Sequence, residues 1–376
     1  MMTGPRCGEA AEWSITPVFT TSMDFDTNRL LVPNGRSTGS GTITADLRFA
    51  RRMEDSLLTL EPSYTLRRFT DSRLGNGDDR SIGSGWSYTG ERLSWSTNAS
   101  YSDQSTLTTE LLETGIVNVD THRRQPQAAL NLDWAQAELR HFVTQLNYTE
   151  TSYYGPVRQL LPGFRYTQGL VGERFTPSER SSLMVSFFGD ELSSRGGLAQ
   201  TSHEYGLEAQ LVYAFSERTR FDGTLGESSR LLNGASSTGT NVSLSLTHDM
   251  TRNNLTLSYL RSLTPYGIGY LVERQQITLQ EIFHVTQFLD ANVALLRVDN
   301  NRNTVLLGLD RRNVTNISTG LTWRPTETFS VGLQVSLVRA PATQLRSDHI
   351  VDTEMLRDWR TALRASWAPF PISVSR

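Results

Sequence analysis

Charged side chains recur at alternate positions of extended segments in this chain, at Asp46, Arg48, Glu61, Arg67, Asp133, Glu208, Arg220, Asp222, Arg324, Asp358, Arg360 and Arg364. Guanidinium and carboxylate groups set among Ser, Thr, Asn and Gln can do two things. They can brace a wall by hydrogen bonding one another, or they can offer a hydrated solute many weak contacts that do not trap it. Both readings hold here, and the residues expected along a solute path are Arg48, Arg67, Glu208, Arg220, Asp222, Asp358, Arg360 and Arg364. The chain has no lysine, so all 36 basic residues are arginine, a permanently charged fork suited to carboxylate, phosphate or sulfate.

Other chemistries find little support. The six histidines, His122, His141, His203, His248, His284 and His349, fall on separate segments with no metal-ligand spacing. No metal and no cofactor is expected. A hydrolase would need Ser, His and an orienting carboxylate or amide to converge. His141, near Gln145 and Asn147, is the one position from which to build such a site, and the sequence predicts no enzyme. Gly83 and Gly85 form a lone GxG with no following helix, so they suggest no phosphate cradle. Cys7 is the single cysteine, which excludes a disulfide within the chain. A net charge of -3 with no basic face argues against nucleic acid as a partner.

The elements that must carry these residues are strands. In Gly41–Phe49, Ile43, Ala45, Leu47 and Phe49 share one face, while Thr42, Thr44, Asp46 and Arg48 share the other. The same period of two predicts strands at 13–25, 38–51, 55–69, 80–90, 91–104, 121–134, 137–151, 159–174 and 180–192. It continues at 202–216, 218–230, 238–250, 253–264, 268–287, 289–301, 309–325, 328–341 and 354–369. That is about 18 strands. Soluble sandwiches alternate as well, so the connections decide the class. Tight turns near Met53–Glu54, Gly90–Glu91, Gln136, Thr176–Glu179, Ser216–Arg218, Thr251–Asn253, Leu289–Asp290 and Arg324–Glu327 alternate with longer polar stretches. Those include 71–79, 103–123, Asn233–Ser237 and Arg339–Asp352. Short periplasmic turns and longer extracellular loops are the pattern of a transmembrane antiparallel β-barrel, all-β, in the outer membrane of a Gram-negative bacterium. Aromatic residues at strand ends on the apolar face agree: Trp86 with Tyr88, Trp134, Tyr213 with Phe215, Trp323, and Trp359 with Trp367.

The mean hydropathy of -0.37 is compatible with this class, because half of every strand is polar. No apolar run approaches the roughly 20 residues a spanning helix requires. The chain reads as one domain at 13–370, with an N-terminal segment 1–12 expected to be disordered after signal removal and a short C-terminal tail at 371–376. Phe370 serves as the closing aromatic signal, or the last six residues tuck into the periplasmic mouth.

The run YSDQSTLTTELLETGIVNVDTHRR, Tyr101–Arg124, and the opening WSITPVF followed by DTNRL at Asp26–Leu30 resemble a family of bacterial outer-membrane β-barrels encoded with exopolysaccharide and PEP-CTERM (exosortase) systems. The resemblance implies a conduit for export of an extracellular polysaccharide. It brings no catalytic residues. Its rivals are a scaffold barrel with a plugged lumen, in which 101–124 is the plug or contact, and a general diffusion porin for small solutes. Expected partners are membrane lipid and lipopolysaccharide, a polysaccharide, and periplasmic secretion-complex proteins.

Overall fold

A computed structural model of the chain describes residues 11–375 apart from 73, 107–120, 155–162, 196–200, 233, 267–269, 302–312 and 347–348. The first strands are β1 (Glu12–Asp26), β2 (Thr38–Arg52), β3 (Ser56–Phe69), β4 (Gly77–Thr89), β5 (Leu93–Ser105) and β6 (His122–Ala137). The middle of the chain forms β7 (Arg140–Tyr153), β8 (Phe164–Ser178), β9 (Ser181–Ser194), β10 (Thr201–Ser216), β11 (Thr219–Leu232) and β12 (Ala235–Asp249). Then follow β13 (Asn253–Tyr266), β14 (Tyr270–His284), β15 (Leu289–Asn301), β16 (Asn313–Thr326), β17 (Phe329–Arg346), β18 (His349–Trp367) and a short β19 (Ile372–Ser375).

Each long strand pairs antiparallel with its chain neighbours, and β1 pairs with β18, from Phe19↔Trp367 to Asp26↔Arg360, to close the ring. The result is an antiparallel barrel of eighteen long strands. Closure follows from the solvent. Within hydrocarbon no water is present to satisfy a free strand edge, so every backbone N–H and C=O in the spanning wall must find a partner in another strand.

Alternation sets the two faces. Trp86, Trp134, Tyr213, Phe215, Leu257, Leu321, Trp323, Trp359, Leu363 and Trp367 all lie exposed on the outer face, where water would be a poor solvent for them and lipid a good one. Aromatic pairs add contact along that face, as where Phe19 stacks on Trp367 across the closing seam with ring centroids 5.8 Å apart. The tight turns gather at one end, at 53–55, 90–92, 138–139, 179–180, 217–218, 250–252, 285–288 and 327–328. This is the periplasmic end. Register shifts cluster beside four of these turns, between Ala135 and Ala137, Phe175 and Ser178, Ala214 and Ser216, and Trp323 and Thr326. Extra residues there raise the local twist that a reversing strand pair needs.

At the extracellular end two expectations are corrected. The stretches Asn233–Ser237 and Arg339–Asp352 are not long loops: β12 begins at Ala235, while β17 and β18 pair out to Arg346↔His349. Above the membrane both strand faces meet water, so the alternation fades although the backbone ladder continues. Gly234 has φ of 81°, the left-handed conformation a tight reversal needs and glycine adopts at little cost. The third correction is the tail. Pro369 and Pro371 have no N–H to give, so β18 breaks there, and the chain resumes as β19 against Glu12–Ile15 of β1. Residues 372–375 extend the wall and do not tuck into the mouth. Glu12 opens β1, while 1–10, with Cys7, lie outside the described residues.

Candidate functional site: the lumen and its constriction

All eight path candidates fall on inward positions of their strands. Arg48 on β2 pairs with Glu61 on β3 (Nε to Oε1, 3.0 Å), and the two side chains are 58% and 52% exposed. An ion pair this open inside a barrel faces water in the lumen. Arg67 holds Asp79 at 3.0 Å and is mostly covered. On β11, Arg220 lies 4.0 Å from Asp222, which also accepts a hydrogen bond from Gln210 Nε2 at 3.0 Å. Glu208 on β10 accepts from Ser186 Oγ at 3.2 Å. Arg364 is exposed and lines a polar concavity with Ser22, Asp24, Thr44 and Gln334. Asp46, also inward, lines a neighbouring one with Arg48, Glu61, Ser63 and Ser100.

Asp358 and Arg360 have another task. Asp358 has no exposed surface; its Oδ1 accepts the Asn28 N–H at 2.7 Å and the Thr27 hydroxyl at 3.3 Å. Arg360 Nε donates to Asp358 Oδ2 at 2.7 Å and lies 3.1 Å from Asp26 Oδ1, whose other oxygen holds Arg29 at 2.7 Å. These contacts tie loop 27–37 to the inside of the wall. Leu31 of that loop then packs against Val314, Val338, Ala340 and Leu356, on β16, β17 and β18. A buried carboxylate bonded to backbone is a fastening for this loop and cannot touch a passing solute.

A second inward element escaped the sequence reading. β12 and β13 pair from Asp249↔Asn254 only as far as Val242↔Arg261, whereas β13 and β14 stay paired to Tyr266↔Tyr270. Beyond Arg261 the β13–β14 hairpin therefore leaves the wall and leans into the lumen. Leu263 and Leu271 are buried there against Phe164 of β8 and Leu192 of β9, with Tyr166 beside them. A buried polar cluster locks the same contact. Arg230 on β11 binds Glu204 on β10 (3.1 Å) and reaches Glu273 of the hairpin (3.5 Å), while Arg261 holds Glu273 at 3.1 Å. Ser228 donates to Glu204 at 2.5 Å and Asn241 to the same carboxylate at 3.2 Å. Arg230 and Glu204 are each 2% exposed. Gly239 makes room for this: a Cβ there would sit 1.8 Å from Arg230 Cζ. Counting by twos from Leu257 and from Ile277 puts Arg261 and Glu273 on the outer face, where charges also stand on other strands at this level, so the period of two gave no sign of the cluster.

Loop 27–37 and the β13–β14 hairpin, through Leu263, Leu271 and Glu273, meet the wall at β16–β18 and at β8–β11, on nearly opposite arcs of an eighteen-strand ring. Together they narrow the extracellular half. The inner wall of β2 to β6 stays lined by Asp46, Arg48, Glu61, Ser100, Gln125 and Gln127.

Near the periplasmic end, His141 Nδ1 lies 2.8 Å from Asp133 Oδ1, and Arg174 bonds the other oxygen of the same carboxylate. His284, Asp290 and Arg324 repeat this arrangement on β14, β15 and β16, with His284 2.7 Å from Asp290 and Arg324 on its second oxygen. Repetition at two places is what a brace across three strands produces. Among the described residues no group of three or more His, Cys, Asp or Glu could hold a metal ion. The expected plug or contact segment at 101–124 lies mostly outside the described residues, from 107 to 120.

A closed barrel of this strand number, with an apolar outer belt and a charged, narrowed lumen, defines the class of outer-membrane β-barrels of Gram-negative bacteria. The solved structures it resembles include Occ and Opd proteins. Acinetobacter baumannii OccAB3 aligns with a TM-score of 0.51 at 7% identity, over 96% of this chain and 99% of that one. A. baumannii OccAB4 gives 0.50 at 10% identity over 97% and 100%, and Pseudomonas aeruginosa OccK7 (OpdD) gives 0.50 at 11% over 96% and 99%. The likeness is one of fold. No protein-family model matches the chain, and no curated protein does.

Proposed function

We propose that this barrel is a passive channel for small hydrophilic solutes, and that it is not an enzyme. The observation that carries the reading is the half-exposed Arg48–Glu61 pair on a Ser-, Thr- and Gln-lined inner wall, beside which the two inward elements narrow the bore. Eighteen strands enclose more space than side chains alone fill, so a lumen of this width holds water. Weak, repeated polar contacts favour entry and release alike.

Single-channel recording of the refolded protein in planar bilayers tests it. Stable conductance steps are expected, with small sugars and amino acids crossing in liposome swelling. A barrel that never conducts would overturn the reading and turn the search to partners held by a plugged scaffold. A second reading, export of an acidic polysaccharide, draws on the resemblance of Tyr101–Arg124. Under it, acidic oligosaccharides block the conductance, and Gln at Arg67, Arg220 and Arg364 relieves the block; neutral and acidic sugars acting alike would count against it.

A further inference from the structure

On the outer face of β3 to β8, just beyond the apolar belt at the extracellular end, charged residues form a continuous row. Tyr64 pairs with Arg80, Arg80 with Asp103, and Asp103 with Arg124; on the next strands Arg124 pairs with Ser152 and Glu150 with Arg165. These positions share the parity of the exposed Ile82, Tyr101 and Tyr148, so they point away from the lumen. Arg80, Arg124 and Arg165 each lie two residues past the last apolar or uncharged outward position of their strands, Ile82, Pro126 and Thr167. Two residues of strand span about 6.6 Å, which sets the guanidinium groups at the headgroup level of the outer leaflet.

The row is organised so that cations face out. Arg124 Nε holds Asp103 at 2.9 Å and its guanidinium lies 4.0 Å from the Tyr154 ring centroid. Arg165 lies 3.3 Å and Arg195 2.7 Å from Glu150, and Arg80 reaches Asp78 at 3.5 Å while sitting over Tyr64. Asp103 and Glu150 are 20% exposed, against 67% for Arg80 and 55% for Arg165. The carboxylates, less exposed than the arginines they hold, orient the forks from behind. Five arginines (Arg68, Arg80, Arg124, Arg165 and Arg195) against four carboxylates (Asp78, Asp103, Glu150 and, on the outer face of β9, Glu191) leave a surplus of one positive charge. On β10, β11 and β12 the corresponding outward positions are Tyr205, Ser229, Glu227 and Thr240, whereas β15, β17 and β18 carry a second outward set, Arg297, Arg339 and Arg357.

We propose that this face binds the phosphorylated headgroup of the glycolipid that forms the outer leaflet, with Arg80, Arg124 and Arg165 on its phosphates. Guanidinium forks match phosphate oxygens in pairs, and the Tyr101 and Tyr148 rings below lie where the acyl chains begin. The site does not depend on whether the lumen conducts.

The test uses the full-length barrel in detergent micelles, as wild type and as the triple variant Arg80→Gln, Arg124→Gln, Arg165→Gln, with native mass spectrometry as readout. The probes are bisphosphorylated lipid A, its dephosphorylated form, phosphatidylglycerol and inorganic phosphate. Wild type should retain bisphosphorylated lipid A about tenfold or more better than the triple variant, as the loss of several charge-assisted contacts requires. Dephosphorylated lipid A should bind both proteins equally weakly. Equal retention of lipid A by the two proteins overturns the site. Equal preference for phosphatidylglycerol, or full displacement by millimolar phosphate, overturns its assignment to the glycolipid. Unchanged heat-modifiable migration and conductance show that the variant folds, and the single Arg124→Gln variant carries the same comparison if the triple one does not.

Discussion

Arg230 is the residue on which the constriction turns. Its guanidinium is buried between Glu204 of the wall and Glu273 of the hairpin, so its removal leaves Glu204 without its counter-charge and Glu273 with Arg261 alone. Breaking a buried pair in this way costs about 3–5 kcal/mol. The least costly escape is for the hairpin to swing out of the lumen and hydrate. Arg230→Met is therefore expected to raise single-channel conductance and lower stability in urea together; a variant with wild-type conductance would show that the cluster does not hold the hairpin. Gly239→Ala should act in the same direction, since its methyl would occupy the space of Arg230 Cζ. Asp358→Ala removes the acceptor of the Asn28 N–H and should free loop 27–37 on the opposite arc.

A strand in this barrel has one face solvated by lipid and the other by the lumen, so neighbouring positions carry different penalties. Leu363 lies midway between Trp359 and Trp367 on the outer face of β18, and Ala362 beside it lines the lumen with Arg364. Leu363→Arg should cost about 2–4 kcal/mol, the range for a cation at the bilayer midplane. Ala362→Arg should cost much less. Urea titrations of both variants refolded into phosphatidylcholine vesicles measure the difference, and equal costs would contradict the assignment of faces. Strand placement was legible in the sequence to within a few residues for most elements, because the alternation is written into each strand separately. β12, β17 and β18 run past the membrane, where nothing forces one face to be apolar; β8, expected at 159–174, spans Phe164–Ser178, and the expected starts of β8 at 159–162 and of β16 at 309–312 lie outside the described residues.

For the whole molecule, closure rests on the pairing of β1 with β18, segments from the two ends of the chain. Thr21 and Ala365 are direct partners across that seam. Cα atoms of directly opposed antiparallel residues lie about 4.5–5.5 Å apart, within disulfide reach. In a Cys7→Ser background, Thr21→Cys with Ala365→Cys should oxidise in the folded barrel to a species whose mobility after boiling differs from that of the reduced chain. Failure to cross-link would rule out the closed ring. Closure also explains β19: with Pro369 and Pro371 unable to donate, Ile372–Ser375 cover the edge of β1 that β18 leaves bare.

What the sequence determined by itself was the class: strand number, the end at which the tight turns gather, and which residues of each strand face lipid. These follow from a period of two and from turn chemistry, both local. The inward charges Arg48, Arg67, Glu208, Arg220 and Asp222 were placed by the same rule. Which charges face the solute and which hold the bore narrow was decided only in three dimensions. Asp358 and Arg360 fasten a loop, and the Arg230–Glu204–Glu273 cluster, absent from the sequence reading, locks a hairpin. No local pattern could state this, because Leu263 leaves the wall only on account of Phe164 and Leu192, residues far away in the chain that the closed ring brings opposite.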